Sequence, residues 1–173
     1  MKQKPEVRSF ACSNDEAIPF LRLLASASDD PNIHYAFAMA LADTKDESNY
    51  KEMFNNLKYA SDKGLPKATS YLGDCYFYGF GTDKNPKKAI DLYICAAEMG
   101  SVYGCFSAGN ELLLGKWVKP DYRQAFVYLK RAADAGDVRA INSLAIMYLY
   151  GHYVDQNWRT ARRLFKKAAK MGD

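Results

Sequence analysis

Small and apolar residues fall on one helical stripe after another along this chain. Ala68, Leu72 and Tyr76 lie at i, i+4 and i+8, one face of a helix. After a break at Gly79 and Gly81, Ala89, Tyr93, Ala96 and Ala97 form a second stripe that Gly100 closes. Glycine just past the last apolar position ends a helix. Asn85 followed by Pro86 opens the next, because Asn accepts from first-turn amides and Pro is preorganised at the first helical position. The pattern predicts an antiparallel helical hairpin. Gly73 inside the first helix costs about 1 kcal/mol relative to alanine, so its presence predicts close approach of the neighbouring helix.

The hairpin recurs with a period of 36 residues. Gly64, Gly100, Gly136 and Gly172 keep that register, as do Gly79, Gly115 and Gly151, and Ala89, Ala125 and Ala161. The pair Ala96-Ala97 returns as Ala132-Ala133 and Ala168-Ala169. Self-similarity of this length marks a stacked array in which each unit buries its apolar face against its neighbours. The N-cap position recurs too, as Asn49, Asn85, Asp121 and Asn157, with Glu52 and Gln124 three residues on as a capping box requires. Four hairpins are predicted, at about 32–67, 68–103, 104–139 and 140–173; the first is divergent, with a glycine-free loop over 42–47. Carried one period back from Glu52, Met53, Leu57 and Ala60, the register falls on Glu16, Ala17, Leu21 and Leu24. It predicts a lone capping helix at about 14–28 within an N-terminal segment 1–31, kinked at Pro19, which removes one helical hydrogen bond. About nine helices result, and the fold class is all-α.

Ala-x3-Leu-Gly-x2-Tyr-x2-Gly-x-Gly, then an N-cap, an alanine and a closing Ala-Ala-x2-Gly, resembles the Sel1-like repeat, a relative of the tetratricopeptide repeat. Residues 68–103 carry it on Ala68, Leu72, Gly73, Tyr76, Gly79, Gly81, Ala89, Tyr93, Ala96, Ala97 and Gly100. The third unit keeps Gly109, Leu112, Gly115, Ala125, Ala132, Ala133 and Gly136; the fourth keeps Ala140, Leu144, Tyr148, Gly151, Ala161, Ala168, Ala169 and Gly172. The resemblance implies a right-handed superhelical α-solenoid of antiparallel hairpins whose first helices line a concave side. It implies a non-enzymatic protein–protein interaction module or adaptor. Two alternatives follow from relatives: an immunity protein that occludes a cognate toxin, and a ligand-binding or hydrolytic role as in cysteine-rich Sel1-like proteins. Trp117 and Tyr153 stand where the second loop glycine, Gly81, would recur, which puts the conformation of those loops in question. In the cysteine-rich branch a disulfide staples each hairpin; Cys105 matches one of its sites, but the partner site holds Ala97.

Composition and charge then exclude several classes. No apolar run approaches the roughly 18–20 residues that span a bilayer, and no secretory signal is recognised at the start. Cys12, Cys75, Cys95 and Cys105 form no CxxC and no zinc spacing, so buried free thiols and a reducing, cytoplasmic compartment are expected. The net charge of +4 is concentrated in the last predicted helix, where Arg159, Arg162, Arg163, Lys166, Lys167 and Lys170 face Asp173 alone. The rest of the chain is slightly acidic, which disfavours nucleic acid as a partner although a basic stripe supplies phosphate contacts. His34 and His152 stand apart in sequence, and no serine elbow, phosphate-cradling loop or metal quartet is present. No catalytic residue, cofactor or metal is expected.

A protein or peptide partner is expected on the first helices and the loop edge. Aromatic anchors interleaved with polar groups suit a peptide groove. The candidates are Ser70, Asp74, Phe77 and Tyr78; Tyr103, Phe106, Asn110 and Leu113; Arg139, Asn142, Ile146 and Tyr150; and the loop aromatics Trp117 and Tyr153. The apolar members could equally be core between units. The six cations of the last helix are a second candidate surface, for an acidic partner, or a solvated end that keeps the array soluble.

Overall fold

The structure, a computed structural model, describes residues 14–172. Within them lie nine α-helices, one short 3-10 turn and no strand. The helices are α1 (Asn14–Ala27), α2 (Pro31–Asp43), α3 (Tyr50–Asp62), α4 (Pro66–Tyr78), α5 (Pro86–Glu98), α6 (Val102–Leu114), α7 (Tyr122–Asp134), α8 (Val138–Tyr150) and α9 (Trp158–Lys170). From α2 onward every helix is 13 residues long, so equal rods can stack in layers. Successive helices pack as hairpins, α2 on α3, α4 on α5, α6 on α7 and α8 on α9, and each hairpin leans on the next. In addition α4 touches α6 and α6 touches α8, with no comparable contact between successive second helices. The first helices form the tighter, inner row of an all-α solenoid, and α1 covers its start against α2.

Caps set the helix starts. Asn85, Asp121 and Asn157 accept from the backbone N–H of Lys88, Gln124 and Thr160, as the recurrent N-cap predicts. Asn49 departs from the pattern. It is helical, makes no capping bond and donates its amide to Thr44 Oγ1, because a 3-10 turn over Glu47–Asn49, capped by Asp46, has taken over the entry to α3. Glu52 is therefore no capping-box partner; its carboxylate instead accepts from Arg22 Nε at 2.9 Å and Nη2 at 2.7 Å, tying α1 to α3. Pro19 sits inside α1, which continues as helix on both sides of it.

Close approach explains Gly73: a Cβ there would lie 2.6 Å from the Tyr93 ring of α5. In the loops, Gly81 is left-handed at φ +69°, and Tyr153 adopts the same conformation at φ +65° despite its side chain. The fourth loop thus keeps the geometry of the second without the glycine, at a cost of order 1 kcal/mol. The glycine-free first loop does likewise at Lys45, φ +54°.

Two apolar cores meet at α4. One gathers Phe37, Leu41, Phe54, Leu57 and Leu72 from α2 to α4; the other runs from Ala89 and Tyr93 through Leu112, Leu129, Ile141 and Met147 to Ala168. Tyr76 packs against both. Of the cysteines, Cys75 and Cys105 are buried thiols and Cys95 is exposed, contrary to the expectation of burial, because its position lies on the outer face of α5; Cys12 is outside the described residues. Burial pushes the Cys75 thiol up to about 12.

Candidate partner-binding groove

A groove of about 730 Å³ runs across the first turns of the inner helices, from Asn32 and Tyr35 of α2 past Lys67 and Tyr71 of α4 and Val102 and Tyr103 of α6 to Arg139 of α8. Aromatic rings pave its floor. The ring centres of Tyr35 and Tyr71 are 5.9 Å apart, and Tyr71 stacks on Tyr103 at 5.2 Å. The Arg139 guanidinium continues the row, 5.3 Å from the Tyr103 ring centre and 4.2 Å from that of Phe106, within cation–π range. Asp137 orients it, accepting from Arg139 Nη2 at 2.6 Å while also capping α8. Burial, then the neighbouring Tyr71, pushes the Tyr35 phenol up to about 12, so it stays a neutral donor at any physiological pH.

Beneath this row lies a polar seam between the two cores. Tyr93 and Tyr103 donate their hydroxyls to Asp74, at 2.6 Å from α5 and 2.9 Å from α6. Burial raises the Asp74 carboxyl above the usual aspartate value, against the opposing pull of the two tyrosine hydrogen bonds and Arg139. Ser70, fully buried, shares a 2.8 Å hydrogen bond with Ser101.

Of the residues expected to meet a partner, Tyr103 and Arg139 are brought together in the groove. Ser70 and Leu113 are corrected: both are buried, Ser70 because its small hydroxyl lets α4 and α6 approach, Leu113 because its stripe faces the hairpin core. Phe77 and Phe106 are half-buried and pack on the same core. Asp74 points into the seam rather than the groove. Asn110 and Asn142 are half-buried on α6 and α8. Tyr78, Ile146 and Tyr150 are exposed at or near the far ends of their helices, remote in register from the groove. Trp117 folds back edge-on to Phe77 at 6.4 Å with Lys84 and Lys116 over its ring, and Tyr153 leans on Phe126 at 5.6 Å while remaining exposed. Arg159, Arg162, Arg163, Lys166, Lys167 and Lys170 are all exposed on α9.

Tyr35 and Tyr71, half the paving, were not among the candidates. The signal was present, since they stand one period apart on the first helices. His34 is a packing residue, its ring tilted 34° against that of Tyr59 with centres 4.0 Å apart, and it is hydrogen-bonded to Asn56 and the Ser28 carbonyl. Among the described residues no three His, Cys, Asp or Glu side chains gather as metal ligands, and no helix is long and apolar enough to cross a membrane.

Comparison with known proteins adds a family. The family model of the Sel1 repeat matches residues 66–101, 102–137 and 138–173, units that open at the first turns of α4, α6 and α8. A curated relative, an uncharacterized protein of Neisseria meningitidis serogroup B, is 26% identical over 169 residues, covering 79% of this chain; the chain spans 36% of that relative's length. Among solved structures, a Sel1 repeat protein from Oxalobacter formigenes aligns with a TM-score of 0.81 at 27% identity over 92% of this chain and 65% of its own. A protective antigen of uropathogenic Escherichia coli displaying an SLR fold aligns at 0.79 and 24% identity, over 91% of this chain and 34% of its own; that likeness concerns the fold alone. The cysteine rich protein B of Helicobacter pylori aligns at 0.52 and 27% identity, over 69% of this chain and 91% of its own.

Proposed function

Because the chain belongs to the Sel1 repeat family, whose members generally mediate protein–protein interactions, we propose that it is a non-enzymatic adaptor. It holds an extended segment of a protein partner on its concave, inner face. The observation that supports this reading is the continuous row Tyr35–Tyr71–Tyr103–Arg139 along an open groove. Tyrosine rings offer large, stiff contact area at low entropic cost, and a guanidinium held by Asp137 fixes register. A peptide backbone laid across such rings can bury their apolar faces and hydrogen-bond their hydroxyls. The hairpin α2–α3 serves as a divergent first unit, extending the groove at Asn32 and Tyr35. The buried, unpaired thiols of Cys75 and Cys105 favour a reducing compartment such as the cytoplasm.

The test uses two exposed positions on the groove rim, Lys67→Glu and Val102→Asp. An acidic residue suits the first turn of a helix, so Val102→Asp leaves α6 intact. Partners captured by the unaltered chain from lysate of its source organism should fall by about tenfold or more with the double variant, which corresponds to at least about 1.4 kcal/mol. Its thermal melt should stay unchanged. Equal recovery of every partner by the variant would remove the groove as the binding face.

A further inference from the structure

The second helices of the four hairpins can be compared position by position. Phe54, Ile90 and Phe126, which pack into the cores, are matched by exposed Arg162. Asp62, Glu98 and Asp134 are matched by Lys170, and Asn55, Asp91 and Val127 by Arg163. The repeat does not require cations at these places, and none of the six cations of α9 has an ion-pair partner among the described residues.

The same face keeps its stacking residues. Leu57, Tyr93 and Leu129 are buried, and their counterpart Phe165 is 37% exposed. Tyr50 and Tyr122 open their helices and pack on loop rings of the following unit, Phe80 at 4.8 Å and His152 at 4.4 Å. Trp158 holds that position on α9 and is 61% exposed, with Arg159 over its ring at 5.4 Å. A shallow groove of about 430 Å³ lies on this face, between Leu149 of α8 and Trp158, Arg162, Phe165, Lys166 and Ala169 of α9.

We propose that this face of α9 docks an acidic amphipathic helix of a partner protein. Such a helix would stack where the first helix of another hairpin would, its apolar stripe on Trp158 and Phe165. Its carboxylates would meet Arg162 and Lys166, the cations that share this groove. Charge selects this occupant. A helix with the ordinary apolar stripe of this repeat would bury Arg162 as an uncompensated charge, which opposes binding. A second copy placing α9 against α9 would bring the same six cations together.

The experiment measures fluorescence anisotropy of a labelled synthetic helix of about 18 residues, five turns, with leucines along one stripe and glutamates elsewhere. A scrambled peptide of identical composition and a DNA duplex serve as comparators, all with the full chain at about 150 mM salt. The amphipathic peptide should bind with micromolar affinity, and the scrambled one at least about tenfold more weakly. Arg162→Glu with Lys166→Glu should weaken binding about tenfold or more, and a lysine-bearing version of the peptide should then bind that variant better than the unaltered chain. Trp158→Ala should weaken it severalfold with an unchanged melt. Equal affinity for the scrambled peptide or tighter binding of the duplex would overturn the proposal, since either reports charge without a helix-shaped site. Absence of binding, or self-association of the chain that competes with the peptide, would overturn it as well. The groove variant Lys67→Glu with Val102→Asp should leave this binding unaltered, so failure of one site is distinguishable from failure of the other.

Discussion

Asp74 illustrates what a single residue contributes and how far its role could be read beforehand. A carboxylate on an inner helix amid aromatics suggested a contact for a partner; the structure turns it inward to receive Tyr93 and Tyr103. Which of two adjacent stripes faces a neighbour depends on the angle between hairpins, and no periodicity of one chain segment encodes that angle. Burial raises the Asp74 carboxyl in the folded chain, so the folded state favours its protonated form. Its contribution to stability is therefore fullest in acid, below the unfolded value of about 3.9, and is lost as pH rises through the raised folded value. Relative to Asp74→Asn, which does not titrate, the unaltered chain should gain stability as pH falls from about 7 towards about 4. Asp30 and Asp46, whose pKa values are lowered chiefly by backbone hydrogen bonds, act in the opposite direction but equally in both proteins. Urea unfolding of the pair across that range checks the sign; a constant difference would show that Asp74 is not desolvated.

The helices themselves were legible in the spacing of Ala, Leu and Tyr because local rules dictate them: Asn85, Asp121 and Asn157 cap where they were expected to. The pattern failed at α3, where Asn49 keeps the residue type but an inserted 3-10 turn has taken its task. Joints between helices carry a further consequence. Cys105 Sγ lies 3.9 Å from the Ala97 carbonyl, so the end of α5 and the start of α6 meet where the cysteine-rich relatives place a staple. Ala97→Cys should accordingly oxidise with Cys105 without displacing either helix. For so short a loop, chain-entropy reasoning gives about 2–3 kcal/mol of stabilisation. Thiol titration should show two fewer free thiols after oxidation, and the midpoint of denaturation should rise on oxidation and fall back on reduction. A cross-link that forms only after unfolding would mean the joint is held apart in the native array.

At the scale of the whole molecule the array is two apolar blocks joined across α4, and the joint carries hydrogen bonds beside its apolar packing. An array's stability is approximately a sum of unit and interface terms, so its weakest interface decides whether it unfolds as one body. The junction across α4 combines the packing of Tyr93 on Gly73 and of Leu92 on the first block with Ser70–Ser101, Asp74 and its two phenols, Tyr76, which packs into both blocks, and the Tyr71–Tyr103 stack that also paves the groove. The period of 36 could predict that units stack but not that this junction would carry a carboxylate held by two phenols, because Asp74, Tyr93 and Tyr103 fall at different places in the repeat. Tyr93→Phe with Tyr103→Phe keeps both rings and removes both donors, leaving the half-buried Asp74 carboxylate without its two phenols at a loss of about 2–4 kcal/mol. That loss falls on the junction alone. A single cooperative transition in the unaltered chain should then split into two, with amides of α2 to α4 exchanging at lower denaturant than those of α6 to α8, or the reverse if the smaller block is the more stable. Hydrogen exchange followed by mass spectrometry resolves the two sets of helices. One transition that merely shifts to lower denaturant would show the apolar contacts of Tyr76 to be enough to couple the blocks, and the groove that spans them would then be a rigid surface independent of the seam beneath it.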